Sequence, residues 1–198
     1  MQFEEMKKLI KKMLTPKRYR HSLNVVDMAL KIAEYHDFPT KKIKTAAVLH
    51  DIAKDIDLVN SLKKADKLGL IIHEDEKMNS SLIHSKLGRA IAEKELGIKD
   101  DFILEAIGYH TTGKAKMCDL ALIIYIADYI DPDKTHMKNT KLIKHTVKEN
   151  LYEAALLVCI SKMEYVIESM KVIHLDSIHF YNWLVKKMKK KNLSKLKV

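Results

Sequence analysis

In the run Ala46-Ala47-Val48-Leu49-His50-Asp51-Ile52-Ala53-Lys54 a histidine and an aspartate stand side by side inside an otherwise apolar pattern. Ile43, Ala47, His50 and Lys54 fall on one stripe of a helix, with Thr40 after Pro39 as its expected N-cap. His50 therefore points where the apolar side chains point. An imidazole and a carboxylate carried into a core are costly unless something compensates them, and neutral-His and ionised-Asp ligation of a divalent cation does so directly. The simpler alternative is a hydrogen-bonded core histidine beside a surface aspartate, and the dipeptide alone favours it.

Helices are what the rest of the chain permits. With Gly 5 and Pro 3 in 198 residues, and Val, Ile and Tyr mostly embedded in 3.6-period patterns, the expected fold class is all-α. That length suits one domain over residues 1–198, with a core over roughly 16–184 that needs no disulfide. Cys118 and Cys159 lie far apart, outside any CxxC or Cys/His cluster, which argues against a disulfide framework or a zinc ribbon and fits a reducing cytosol. No run approaches the ~20 apolar residues of a membrane span, and Met1 to Leu14 lacks an apolar signal core, so a soluble cytoplasmic protein with no membrane partner is expected. Much of the net charge of +10 sits in a lysine-rich tail over 186–198, which reads as solvated. No RGG repeat or recognition helix accompanies it, so nucleic acid is the weaker expectation.

Taken in order, Thr15-Pro16 gives an N-cap and first-turn signal, after which His21, Val25, Met28 and Ile32 share a stripe. A break at His36-Asp37-Phe38-Pro39 would fold this helix back and bring His21 toward His50. From Asp55 to Glu76 the chain reads as polar and irregular, with Gly69 as a break. Ser80 or Ser81 then starts a helix with His84, Leu87 and Ile91 on one face and Gly97 as its stop. Asp100 or Asp101 starts another that ends at His110, before Thr111-Thr112-Gly113-Lys114, whose hydroxyls and amides suit an oxyanion. Asp128 is the acid of the apolar run Leu120 to Ile130. A buried, unpaired carboxylate protonates or takes a cation, so a metal is the economical partner, and a helix-end cap before Pro132 is the competitor. Two helices from Asn139 to Met170, and a last one capped by Asp176 or Ser177, complete the core.

His21, His50, Asp51, His84, His110 and Asp128 together form a nitrogen and oxygen donor set without thiolate. It suits iron, manganese, cobalt, nickel or zinc without choosing among them, and metal-assisted hydrolysis needs such ligands beside open water positions.

The segments Lys17-Arg18-Tyr19-Arg20-His21-Ser22, Leu49-His50-Asp51-Ile52-Ala53-Lys54-Asp55, Leu82-Ile83-His84 with Gly88, Tyr109-His110-Thr111-Thr112-Gly113 and Ile126-Ala127-Asp128-Tyr129-Ile130-Asp131-Pro132 resemble one family. It is the HD-domain phosphohydrolases, and among them the symmetrical bis(5'-nucleosyl)-tetraphosphatases, over roughly residues 16–184. The resemblance implies an HD-domain helical bundle that cleaves a dinucleoside polyphosphate, diadenosine tetraphosphate foremost, to ADP or a GDP-like product. It implies a divalent or mixed-valent transition metal, iron first, on His21, His50, Asp51 and Asp128. His84 and His110 would ligate a second metal or bind polyphosphate, with Asp51, His84 and His110 catalytic. Arg18, Lys54, His84, His110, Thr111 and Gly113 would hold the nucleotide phosphates, and a homodimer is left open. Ile52, Arg20, Lys134 and Tyr181 depart from the family pattern, the last after His174-Leu175-Asp176-Ser177, and bear on nucleotide preference more than on the reaction. Three other readings stay open: another HD-type nucleotide phosphohydrolase, a di-iron oxygenase on the same ligands, and a non-catalytic HD scaffold that binds RNA through its tail.

Overall fold

The apolar stripes become helices, and the breaks fall where proline, glycine and capping residues put them. The structure, a computed structural model, describes residues 1–77 and 80–188; the expected tail from Lys189 onward lies outside the described residues. α1 (Phe3–Met13) leads into α2 (Pro16–Tyr35), whose N-cap Thr15 accepts a hydrogen bond from the Arg18 amide. After the His36 to Pro39 break comes α3 (Thr40–Leu49). Here the N-cap is Pro39 rather than Thr40, and the helix stops at His50, short of the expected continuation to Lys54. Tight turns follow, with the Ile52 amide on the Leu49 carbonyl at 3.1 Å and the Lys54 amide on that of Asp51 at 2.8 Å. His50 and Lys54 thus share no helical stripe.

The segment expected to be irregular contains α4 (Leu58–Lys67) and a single turn, α5 (Glu74–Lys77). The signal for α4 was present: Asp57 caps it through the Asn60 amide, Leu58, Leu62 and Ala65 recur at helical spacing, and Gly69 follows it at φ +66°. α6 (Ser80–Ala90) runs on into a π-helical turn at Ile91–Glu95, and Gly97 at φ +69° ends it. α7 (Asp101–Tyr109) is capped by Asp100, and α8 (Asp119–Tyr129) carries the apolar run. α9 (Thr140–Thr146), α10 (Leu151–Glu168) and α11 (Leu175–Lys187) complete the described fold. The cap of α11 is His174, not Asp176 or Ser177: its ring accepts the Asp176 amide. No helix among the described residues is long and apolar enough to cross a membrane.

α8 is apolar on nearly every side and correspondingly buried from Leu120 through Ala127. α2, α3, α7 and α10 pack around it. Those contacts turn the C-terminal ends of α3 and α7, the N-terminal part of α2 and the end of α8 toward one point. On the far side of that point α11 closes the core, with Phe180 edge-on to Tyr125 at 5.2 Å and stacked on Trp183 at 6.0 Å. Gly113 sits directly on the Phe180 ring: its φ is +69°, and a Cβ there would lie 2.2 Å from Phe180 Cδ1. The position therefore has both a conformational and a steric need for glycine. Gly113→Ala is expected to cost roughly 2 kcal/mol or more in thermal or denaturant unfolding, because left-handed strain and overpacking add.

Candidate metal centre

His50 and His110 are placed by the same local device. Each stands at the C-cap of its helix, and each ring donates from Nδ1 to the carbonyl three residues back, Ala47 at 2.7 Å and Ile107 at 2.8 Å. A last-turn carbonyl without an intrahelical partner is satisfied, and Nε2 is left pointing inward as an acceptor. His21, on α2, is held from behind by a carboxylate instead, with Nδ1 2.6 Å from Asp131 Oδ2. Asn24 secures the other oxygen of Asp131 at 2.8 Å.

Asp51 lies at the centre, its side chain 3% exposed. Its Oδ2 is 3.5 Å from Nε2 of both His21 and His50, and its Oδ1 is 3.2 Å from Nε2 of His84 and 3.5 Å from that of His110. One carboxylate thus faces two pairs of imidazoles, one pair per oxygen. His21, His50 and Asp51 form one group of converging donors, and Asp51, His84 and His110 a second. Asp128 Oδ1 joins the first at 3.1 Å from His21 Nε2 and 3.9 Å from His50 Nε2.

The donor chemistry fits a metal. With both Nδ1 atoms committed to acceptors, the Nε2 atoms of His21 and His50 present lone pairs to one another at 3.3 Å. A metal ion, or a proton shared between the two rings, makes that approach favourable. Ligands about 2.1 Å from a metal and at right angles stand about 3 Å apart, the scale of the spacing here. Burial pushes His110 down to about 3 and also lowers His84, so both are neutral donors. Burial works against a charged His50 as well, yet the Asp51 carboxylate beside it holds its pKa above the ordinary value. Burial works against the charge of Asp51 too, and the cationic form of His50 foremost holds its pKa well below the ordinary carboxylate value.

Asp128 is less isolated than its apolar run implies. Its side chain is 13% exposed, Lys134 reaches Oδ1 at 2.7 Å, and Lys162 stands 3.8 Å from Oδ2. Burial opposes its charge, and Lys134 foremost keeps it ionised. A lysine partner, absent from the sequence argument, therefore already stabilises this carboxylate.

The centre opens into a cavity of about 510 Å³. Arg18 enters it and donates to Asp51 Oδ2 at 2.8 Å, and Lys54 Nζ lies 3.4 Å from His84 Nδ1. Thr111 Oγ1 is 3.4 Å from His84 Nε2 and 3.3 Å from His110 Nε2. Gly113, expected to hold phosphate, is not part of the cavity wall; its place against Phe180 gives it a packing role.

Three site residues escaped the sequence argument. Asp131 carried a signal, since it follows Asp128 in the same short motif. Lys134 was visible only as a departure from a family pattern. Lys162 of α10 had no signal at all: its Nζ donates to the carbonyls of His110 at 3.0 Å and Thr111 at 3.3 Å, across long sequence separations.

Residues 18–133 match the HD domain family. The chain belongs to that family. The HD protein is 41% identical to the symmetrical bis(5'-nucleosyl)-tetraphosphatase of Staphylococcus aureus over 68% of this chain and 69% of that one. The Bacillus subtilis enzyme of the same name is 31% identical over 92% and 97%. A solved HD superfamily hydrolase from Clostridium acetobutylicum, described as involved in NAD metabolism, superposes with a TM-score of 0.89 at 31% identity, covering 95% and 99%. Within its family the HD protein groups with the symmetrical tetraphosphatases.

Because Asp131 orients His21 without reaching the centre, Asp131→Asn is expected to weaken metal binding 10- to 100-fold with the fold retained. Competition titration against a chelator, followed by circular dichroism of the same sample, checks both halves.

Proposed function

We propose that the HD protein hydrolyses nucleoside polyphosphates with a transition metal at the Asp51 centre, cleaving diadenosine tetraphosphate symmetrically to two ADP. The observation that carries this reading is electrostatic: Arg18, Lys54, Lys134 and Lys162 line one cavity against the carboxylates of Asp51 and Asp128. Cations in that excess suit a polyanionic chain. The relatives' names support the same substrate class.

His21, His50, Asp51 and Asp128 would hold one metal, and His84 and His110 with the other oxygen of Asp51 a second. Iron is our first choice, with manganese, cobalt, nickel and zinc compatible with the donors. When bound, the metal supplies a water acidic enough to attack phosphorus near neutral pH and neutralises phosphate charge. Asp51 fixes the spacing of the two imidazole pairs, one oxygen toward each, and would orient the attacking water between them. Arg18, Lys54 and Lys162 would pair with phosphate oxygens, Arg18 with fork geometry and the lysines as point charges. Thr111 offers its hydroxyl next to His84 and His110.

Incubating the metal-loaded protein with diadenosine tetraphosphate and resolving the products tests the reading. ADP alone is expected; AMP with ATP would mean asymmetric cleavage, and no turnover with any of these metals overturns the assignment. Asp128→Ala is expected to abolish hydrolysis and lower metal content by elemental analysis while the helical spectrum is unchanged. Full metal occupancy with near-normal turnover would remove Asp128 from the site. His84→Ala separates its two roles, since loss of one metal equivalent marks a ligand, whereas weakened nucleotide binding at full occupancy marks a phosphate contact.

A further inference from the structure

Hydrolysis of a dinucleotide needs more than a phosphate site, and the cavity supplies the rest on one face of α10. Cys159, Lys162, Met163 and Val166 recur at helical spacing along the cavity wall. Lys162, the phosphate end of that stripe, stands beside Asp128. One turn further out is Tyr165, which lines the cavity although the residue is 59% exposed. Val172, also a lining residue and half exposed, flanks the same rim, and the ammonium of Lys171 lies 5.3 Å from the Tyr165 ring centroid. An aromatic ring left open at the mouth of a cationic cavity is out of place in a core and well placed for a flat ligand.

Size points the same way. A cavity of about 510 Å³ lies in the lower half of the range of roughly 300–1,000 Å³ that holds drug-sized ligands, room for one nucleotide arm of a substrate that has two. With the phosphates held by Arg18, Lys54 and Lys162, an arm directed outward along α10 brings its base to the rim.

We propose that Tyr165 is a base-stacking residue of the substrate site, seating a purine of the nucleotide against its ring with Val172 and Lys171 alongside. The proposal rests on the polyphosphate reading above and deepens it. Stacking uses the π face that every base has, so the platform selects nucleotides over bare polyphosphate and distinguishes adenine from guanine only weakly.

The test uses the full-length, metal-loaded protein with Tyr165→Ala and Tyr165→Phe, and ADP and inorganic pyrophosphate as probes in calorimetry. Loss of one stack is expected to weaken ADP binding on the order of tenfold in Tyr165→Ala. Pyrophosphate binding should be unchanged, and Tyr165→Phe should restore ADP affinity. KM for diadenosine and diguanosine tetraphosphate should rise by a similar factor at unchanged kcat. Unchanged ADP affinity in Tyr165→Ala, a parallel loss of pyrophosphate binding, or failure of phenylalanine to restore it overturns the proposal. So does an altered oligomeric state on size exclusion with unaltered ADP binding, which would make the rim a contact between copies. Wild-type protein that binds ADP in a Tyr165-dependent way yet hydrolyses neither dinucleotide would refute the reaction and leave the stacking role standing.

Discussion

Everything at the centre of this protein depends on one buried carboxylate shared by four imidazoles. Asp51 could not stay ionised in the core alone; Arg18 at 2.8 Å and the cationic form of His50 make it tenable, with Nε2 of His21, His84 and His110 within 3.5 Å. The dependence is mutual, because each ring is buried and the carboxylate is the anion that they share. Truncating one member of such a network leaves the rest with uncompensated charge or unpaired donors, which costs more than the contact contributes.

The apolar architecture exists in the form that this centre needs. α8 is buried on almost every side and acts as the post against which α2, α3, α7 and α10 rest. Two of those helices end at the centre, and their last-turn carbonyls become hydrogen-bond acceptors for His50 and His110. Helix termination therefore orients the rings as a consequence of backbone chemistry, with no separate scaffold. His21 comes from within a helix, has no terminal carbonyl to use, and is oriented by Asp131 instead.

Charge is distributed in two zones. Around Asp51 the donors are imidazoles and ionised carboxylates, and a metal would take the rings in their neutral form. Outward from it the cavity turns cationic, and Lys162 is so enclosed that burial brings its ammonium down to about 8. It remains anchored by the carbonyls of His110 and Thr111, by Asp128 and by the Tyr125 ring 3.9 Å away. A cation held in place before an anion arrives loses little freedom on binding it, which is the energetic advantage of a preorganised site.

The sequence by itself determined the helices that carry the site and the fact that His21, His50, His84, His110 and Asp128 face inward. Helical periodicity, capping by Thr15 and Asp100, and the stops at Pro39 and Gly97 are local effects legible over a few residues. The same local rules also described α4, whose Asp57 cap and leucine spacing were overlooked in a polar stretch. Only the tertiary structure decided that Asp51 divides its two oxygens between two pairs of imidazoles, that Lys134 neutralises Asp128, and that Gly113 lies against Phe180. It alone brought Lys162 and Asp131 to the site. Those juxtapositions join residues far apart in the chain, and helix periodicity fixes the direction of a side chain around its own axis, not which other helix it meets.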